Sequence, residues 1–354
     1  MRLKKIGISI CAVLTTAGML TACGNSNSNT AAENQAGTET ASEVVADTES
    51  TAYPITIDHA FGQTVIESQP ERVVTISWGN QDVPLALGVV PVGISKANFG
   101  LVDENGLLPW TADAYEALGV ESPTVFDDTD GLDYEAISDA NPDVILAAYS
   151  GITQEEYDML SQIAPVVAYP DSAWQTYWRE QTLMDATAIG KEAEAETLIS
   201  ETDDLIREKV SQYQTLEGKT AAFAYFNASD LGEFYIYLPT DPRAAYLTDL
   251  GLAFPESVTD MAQSSSDFAV TISSENADVL SDVDIIITYG DDAVLQTLQA
   301  DPLVGQIPAI ANGAVVMIDS TGALAASCTP TVLSIPATID DYLALINEAA
   351  EKVQ

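Results

Sequence analysis

The chain has 354 residues, with 54 Asp and Glu against 12 Lys and Arg, one His and three Cys, for a formal net charge of −42. So acidic a surface repels phosphate backbones and anionic headgroups, which speaks against nucleic-acid binding and polybasic membrane attachment. A single His excludes sites that need two, such as HExxH zinc proteases and His-rich metal cages, and 47% apolar residues exclude a disordered acidic tail.

The first 23 residues read MRLKKIGISICAVLTTAGMLTAC. Arg2, Lys4 and Lys5 form a basic start, and Ile6 to Leu20 is an apolar stretch too short for a comfortable bilayer span. It closes on Leu20-Thr21-Ala22-Cys23, which resembles the bacterial lipobox, so residues 1–22 are expected to be a lipoprotein signal peptide and Cys23 the lipidated anchor. The alternative is a transmembrane anchor followed by a chance Cys. Cleavage removes three basic residues and no acidic one, leaving nine basic side chains in the mature chain. It also removes Cys11, so Cys328 is the single free thiol and no intrachain disulfide is possible. Cys328 reads as a small buried apolar residue rather than a nucleophile. Residues 23–52 carry almost no large apolar side chains and are expected to be a flexible tether.

From Tyr53 the pattern changes. Short β-branched runs alternate with helical stretches: Arg72–Ser77, Val89–Ile94, Asp143–Ala148 and Pro165–Tyr169, then Thr220–Phe226, Phe234–Leu238, Asp284–Tyr289 and Ala314–Asp319. Continuous apolar runs such as VILAA and IIIT suit strands buried on both faces, hence mainly parallel sheets covered by helices. The fold class is α/β. Between the two groups of strands, Ser172 to Gln175 reads as a capping box and Trp174, Tyr177, Trp178, Gln181, Met184 and Ala188 follow helical spacing. Gly190 interrupts that pattern. Lys191–Tyr213 then runs without Pro or Gly and predicts one long rigid helix. The expected organisation is an N-terminal lobe over 53–190, the interlobe helix over 191–213 and a C-terminal lobe over 214–354. An internal echo fits two related, Rossmann-like lobes: Glu135 and Glu275 each open a short helix, and Asp143 and Asp284 each lead a buried strand eight or nine residues later.

A lipobox and tether followed by HAFGQTVIESQPERVVTISWGNQDVPLALGVVPVGISKAN (His59–Asn98) closely resembles the opening of iron-siderophore substrate-binding lipoproteins of ABC importers, a class III, bilobed family. EAISDANPDVILA and GKEAEAETLI resemble segments of the same family. The resemblance implies two α/β lobes joined by one long helix, a ligand in the cleft between them, and no bond-making chemistry. It implies an extracytoplasmic protein anchored to the membrane through its N-terminal lipid alone, a monomer, with an ABC permease as partner. Iron arrives wrapped in its chelator, so no cofactor and no protein metal site is expected. Glu135 and Glu275 match the positions where the family places a carboxylate on each lobe to meet Arg of the permease; the plainer reading is two solvated helix-start acids.

Open parallel sheets bind ligands beyond the carboxyl ends of their strands. That rule places Trp78, Gly79, Asn80 and Gln81 at the cleft in the first lobe, with Lys96, Asn98, Tyr149, Trp174 and Arg179 in equivalent positions. In the second lobe it selects Phe226, Asn227, Tyr237, Arg243 and Tyr289. Aromatic rings supply flat contact area to a large, partly apolar chelate, and Arg donates charge-assisted hydrogen bonds to the oxygens around the iron. Tyr177 and Trp178 read as helix packing, Arg179 equally well as a surface residue paired with Glu180 or Glu192, and His59 as an edge or surface histidine. A haem- or cobalamin-binding protein of the same fold is the alternative, since Tyr can ligate haem. Of other classes, a secreted hydrolase lacks any GxSxG, GxGxxG or P-loop pattern, and an adhesin needs no strut between paired lobes. The protein's acidity favours a hydroxamate or mixed chelator over a trianionic tris-catecholate, although a local Arg/Lys pocket could override it.

Overall fold

Two five-stranded sheets organise the chain in a computed structural model, which describes residues 52–353. The expected signal peptide, Cys23 and all but the last residue of the tether lie outside the described residues. Among those described, no helix is long and apolar enough to cross a membrane.

The N-terminal lobe opens with an antiparallel hairpin of β1 (Ile55–His59) and β2 (Gly62–Ile66). There follow β3 (Val73–Thr75), α1 (Asp82–Ala86), β4 (Gly93–Ser95), α2 (Pro109–Ala117), β5 (Val125–Phe126), α3 (Tyr134–Asp139), β6 (Val144–Ala147), α4 (Gln154–Leu160) and β7 (Val166–Ala168). The strands lie in the order β5-β4-β3-β6-β7, and every pair is parallel. The apolar run Val144–Ala147 explains why. Val144 and Leu146 pack with Ile57, Ile66 and Ile189 on one face, and Ile145 and Ala147 with Val74, Ile137 and Leu160 on the other. A strand covered on both sides has no polar face to show.

The connector is α5 (Trp178–Ala188) followed by the 19-residue α6 (Glu192–Val210). They meet at Gly190, whose φ of 71° favours glycine. The expected helix start at Ser172 does not form. Trp174 has φ 61° and Tyr177 is extended, so helix begins only at Trp178.

The C-terminal lobe contains β8 (Ala221–Phe226), β9 (Glu233–Tyr237), α7 (Pro242–Asp249), α8 (Glu256–Ser264), β10 (Ala269–Ser273), a 3-10 turn over Ser274–Leu280 and β11 (Ile285–Tyr289). It continues with α9 (Asp292–Ala300), α10 (Pro308–Asn312), β12 (Val315–Ile318), α11 (Ala323–Ser327) and α12 (Ser334–Ala350). Its sheet order β10-β9-β8-β11-β12 repeats that of the first lobe, with β9 antiparallel to both neighbours. Ile335, Ile339, Tyr342, Leu343 and Ile346 form the buried stripe of α12, which shares a core with Ala195 and Ile206 of α6.

The echo in the sequence has a structural meaning. Asp143, just before β6, accepts the backbone N–H groups of Glu71 and Arg72, both at 2.9 Å, where the chain enters β3. Asp284, just before β11, accepts the N–H of Thr220 at 2.9 Å, where the chain enters β8. In each lobe a carboxylate at the head of one buried strand satisfies the otherwise unpaired backbone of its neighbour.

Some elements differ from expectation. Val89 to Val92 is irregular chain rather than strand, because Pro91 has no N–H to donate and β4 starts only at Gly93. The edge strands β5 and β10 carry no continuous apolar run and leave no clear trace in the sequence. His59 is buried rather than superficial: its Nε2 is 2.9 Å from Thr64 Oγ1, its Nδ1 accepts the Phe61 N–H, and its ring packs on Tyr157. Desolvation lowers its pKa.

The lobes meet at a buried carboxylate. Asp82 of α1 accepts from Trp110 Nε1 (2.8 Å), Thr111 Oγ1 (2.9 Å) and Gln81 Nε2 (3.1 Å) of its own lobe. Thr331 Oγ1, from the segment between α11 and α12, donates to it at 2.5 Å. Burial pushes the pKa of Asp82 up to about 6 against the downward pull of these four donors.

Candidate ligand-binding cleft

A cleft of ≈520 Å³ opens between the lobes at the carboxyl ends of their strands. The parallel strands of the N-terminal sheet deliver residues there. Ser77 and Trp78 follow β3, Lys96, Asn98 and Phe99 follow β4, Asp128 follows β5, and Tyr149 follows β6. Trp174 comes from the loop beyond β7. The opposite wall holds Arg243 at the start of α7, Phe268 before β10, Tyr289 at the end of β11, and Ala325, Ala326 and Thr329 in and after α11.

Arg243 is held in place from two sides. Its Nε and Nη2 donate to the two carboxylate oxygens of buried Asp241, at 2.9 and 2.7 Å, and its guanidinium lies 4.0 Å from the centroid of the Tyr237 ring. Burial lowers the pKa of Arg243, but the hydrogen bonds and charge of Asp241 outweigh it, and the pKa rises. The guanidinium is therefore a permanent cation of fixed orientation. Around it runs an aromatic chain: Phe223 touches Tyr237 and Tyr289 at centroid distances of 5.5 and 5.4 Å, and Phe99 reaches across from the other lobe to Tyr289 at 5.3 Å.

The cations of the cleft are each matched by a carboxylate. Lys96 Nζ lies 2.9 Å from Asp127, whose pKa falls to about 2 under the hydrogen bonds of Thr129 and then of Lys96. Asp128 accepts from Ser95 Oγ at 2.5 Å and Glu156 accepts the Thr153 N–H at 2.7 Å, and both line the cleft without a cation of their own. Burial raises the pKa of Asp128. With Arg243 tied to Asp241, the site holds no excess of positive charge.

Of the residues selected from the sequence, Trp78, Lys96, Asn98, Tyr149, Trp174, Arg243 and Tyr289 line one cleft. The others stand elsewhere, each for a physical reason. Asn80 is fully buried beneath it, donating to the carbonyls of Ile76 (2.7 Å) and Tyr149 (3.0 Å) and accepting from the Tyr149 N–H and Gln181 Nε2 at 3.0 Å. It braces the ends of β3 and β6 and caps no helix. Gln81 is buried against Asp82. Gly79 serves the approach of the other lobe rather than of a ligand: its φ is 73°, and a Cβ there would fall 2.7 Å from Thr331 Cγ2.

Phe226 is core, stacked on Phe234 at 5.1 Å, because alternation along β8 puts Phe223 and Tyr225 on one face of the sheet and Phe226 on the other, packed with Ala222 and Ala224. Asn227 is exposed, its side chain accepting the Ser229 N–H in a turn. Tyr237 supports Arg243 from behind. Arg179 belongs to a different structure: it bridges Asp203 of α6 and Asp249 of α7 and lies 4.2 Å over the Trp178 ring, beside a second hollow. Trp178 is buried as expected of packing, whereas Tyr177 is 39% exposed and donates to the Pro239 carbonyl of the other lobe at 3.1 Å. Glu135 and Glu275 are both exposed, each in the first turn of a short helix that precedes an equivalent strand. Phe99, Asp128, Glu156 and Phe268 are cleft residues that the sequence did not single out. The first three follow strand ends or open a helix, and only Phe268 lies before a strand, outside the rule that found the rest.

The fold and the cleft together define a two-lobed binding protein that encloses a ligand between paired α/β lobes. The chain belongs to the periplasmic binding protein family, whose model matches residues 73–321. It is 51% identical to PiaA of Streptococcus pneumoniae TIGR4, solved in complex with ferrichrome; the match covers 85% of this chain and 100% of that one, with a TM-score of 0.82. It is also similar to two curated proteins. One is the probable siderophore-binding lipoprotein YfiY of Bacillus subtilis (strain 168), 26% identical over 243 residues, 66% of this chain and 67% of that one. The other is the ferric enterobactin-binding periplasmic protein FepB of Escherichia coli O6:H1, 25% identical over 276 residues, 73% of this chain and 82% of that one.

Proposed function

We propose that the protein captures a ferric siderophore in this cleft on the outer side of the membrane and delivers it to the permease of an ABC importer, with lipidated Cys23 as its anchor. It makes and breaks no covalent bond. The observation that carries the reading is that Trp78, Tyr149, Trp174, Phe99 and Tyr289 line one cleft together with one fixed guanidinium, that of Arg243. Flat rings provide contact with the organic shell of a chelate, and the guanidinium provides charge-assisted hydrogen bonds to its oxygens.

The charge pattern favours a hydroxamate. A neutral ferric trihydroxamate asks for no surplus cation, whereas a tris-catecholate brings about three negative charges to a site where Asp128 and Glu156 accept hydrogen bonds from neutral donors and have no cation beside them. The likeness to PiaA, solved with ferrichrome, supports the same class. On Glu135 and Glu275, exposed at matching places on the two lobes, rests the further reading that they meet cations of the permease.

Titration of the purified protein with ferrichrome, a ferric tris-catecholate and haemin, followed by Trp fluorescence, tests the function. Submicromolar quenching by the hydroxamate, weaker by the catecholate, is expected. A Soret shift with haemin and no response to either ferric chelate would replace this reading with a haem carrier.

A further inference from the structure

Gly151 lies two residues beyond Tyr149, in the turn that leaves β6, and is one of the few cleft residues with no side chain. Its backbone does not adopt a left-handed conformation, so nothing in the main chain calls for glycine there. Space does. A Cβ on residue 151 would fall 2.1 Å from Trp174 Nε1, 2.4 Å from Cε2 and 2.7 Å from Cζ2. The indole occupies the volume that any other residue would fill.

Trp174 is itself held under strain. Its φ of 61° is the left-handed region, which a residue with a bulky side chain rarely adopts. The position is kept by its own N–H, which donates to the Ser150 carbonyl at 3.0 Å, and by Thr176 Oγ1, which donates to the Ala148 carbonyl at 2.6 Å. Strain of this kind persists where surrounding contacts over-determine it, and it clusters at functional sites. The result is an indole set edge-on to Tyr149, at 5.3 Å and 74°, and 37% exposed at the cleft.

We infer that Gly151 is a positioning residue for ligand capture: the missing side chain forms the slot in which the Trp174 ring lies, and so presents that ring to the chelate. The inference rests on the reading that the cleft holds a ferric siderophore. It assigns the glycine a role through Trp174 and no contact of its own with the ligand.

The test is a double-mutant cycle on the full chain, with ferrichrome as probe and affinity read by calorimetry. Gly151→Ala and Trp174→Ala are each expected to weaken binding about tenfold, while the double variant binds no more weakly than Trp174→Ala alone. Gly151→Ala should also shift Trp emission to the red, a change absent when Trp174 is already gone. Binding of Gly151→Ala at wild-type strength overturns the inference, as does an equal further loss in the Trp174→Ala background. If Gly151→Ala alone does not fold, the double variant removes the clash, and its comparison with Trp174→Ala decides the question. Failure of the functional reading looks different: the wild-type chain would not bind ferrichrome, or Trp78→Ala and Arg243→Lys would bind it undiminished.

Discussion

Arg243 and Asp241 form a forked ion pair, 2.9 and 2.7 Å, in which the carboxylate is completely buried and the guanidinium forms part of the cleft wall. Two residues apart at the start of α7, they act as one unit. Asp241 also accepts the Arg243 backbone N–H as the helix cap, so the same carboxylate starts the helix and aims its first cation.

Arg243→Lys keeps the charge and loses the fork. Lys offers a point charge with three rotatable donors and cannot match two carboxylate oxygens and a ligand at once. Ferric hydroxamate affinity should fall about tenfold or more, by calorimetry. Affinity within twofold of wild type would remove Arg243 from the binding site.

Trp78 lies at the turn after β3, partly buried against Leu108, Trp110 and Ala326. Trp78→Ala should weaken binding by a factor of about ten, through lost ring contact. Thermal unfolding should move only slightly, since the lobe contact around Asp82 remains. Unchanged affinity would mean that the ligand sits elsewhere.

Asp82 makes the lobe contact sensitive to pH. Its folded pKa is raised, from 3.8 to about 6. Its contribution to stability is therefore fully present below 3.8 and is lost as pH rises through about 6, about 3 kcal/mol in all. The stability of the wild type relative to Asp82→Asn, measured by denaturant unfolding, should decrease from pH 4.5 to 7.5. A difference that is flat across that range would show that Asp82 titrates like an ordinary carboxylate.

Cys328 is fully buried, and burial pushes its thiol up to about 12. The native protein should not react with a thiol reagent at Cys328 over minutes at pH 8, and one further thiol per chain should appear on unfolding. Rapid labelling of Cys328 in the native protein would show that the C-terminal lobe opens around α11.

The fold was legible where burial is total. The runs VILA and IIIT are covered on both faces, so composition alone marks them as central parallel strands, and Asp143 and Asp284 mark their heads. The edge strand β10 was not legible, because a strand half covered by protein and half by solvent has no continuous apolar run. The site was legible to the same extent. Counting residues at or beyond strand ends found Trp78, Lys96, Asn98, Tyr149 and Tyr289, since topology sends those positions to the cleft. It failed at Phe226, where one step of alternation along β8 turns the side chain into the core, and at Arg179, whose place depends on carboxylates 24 and 70 residues away.

What the amino-acid order determined by itself is local: which segments are too apolar to face water on either side, where helices break, how few cations remain to serve an acidic protein. Periodicity and composition act within a dozen residues, and they are enough for two α/β lobes and a cleft at their strand ends. Which side chains face one another across that cleft was decided by tertiary structure, because it depends on contacts between lobes. Gly79 matters through Thr331, and Asp82 through Thr331 as well. Gly151 matters through Trp174, and a glycine whose only requirement is an absent side chain leaves no mark in the sequence around it.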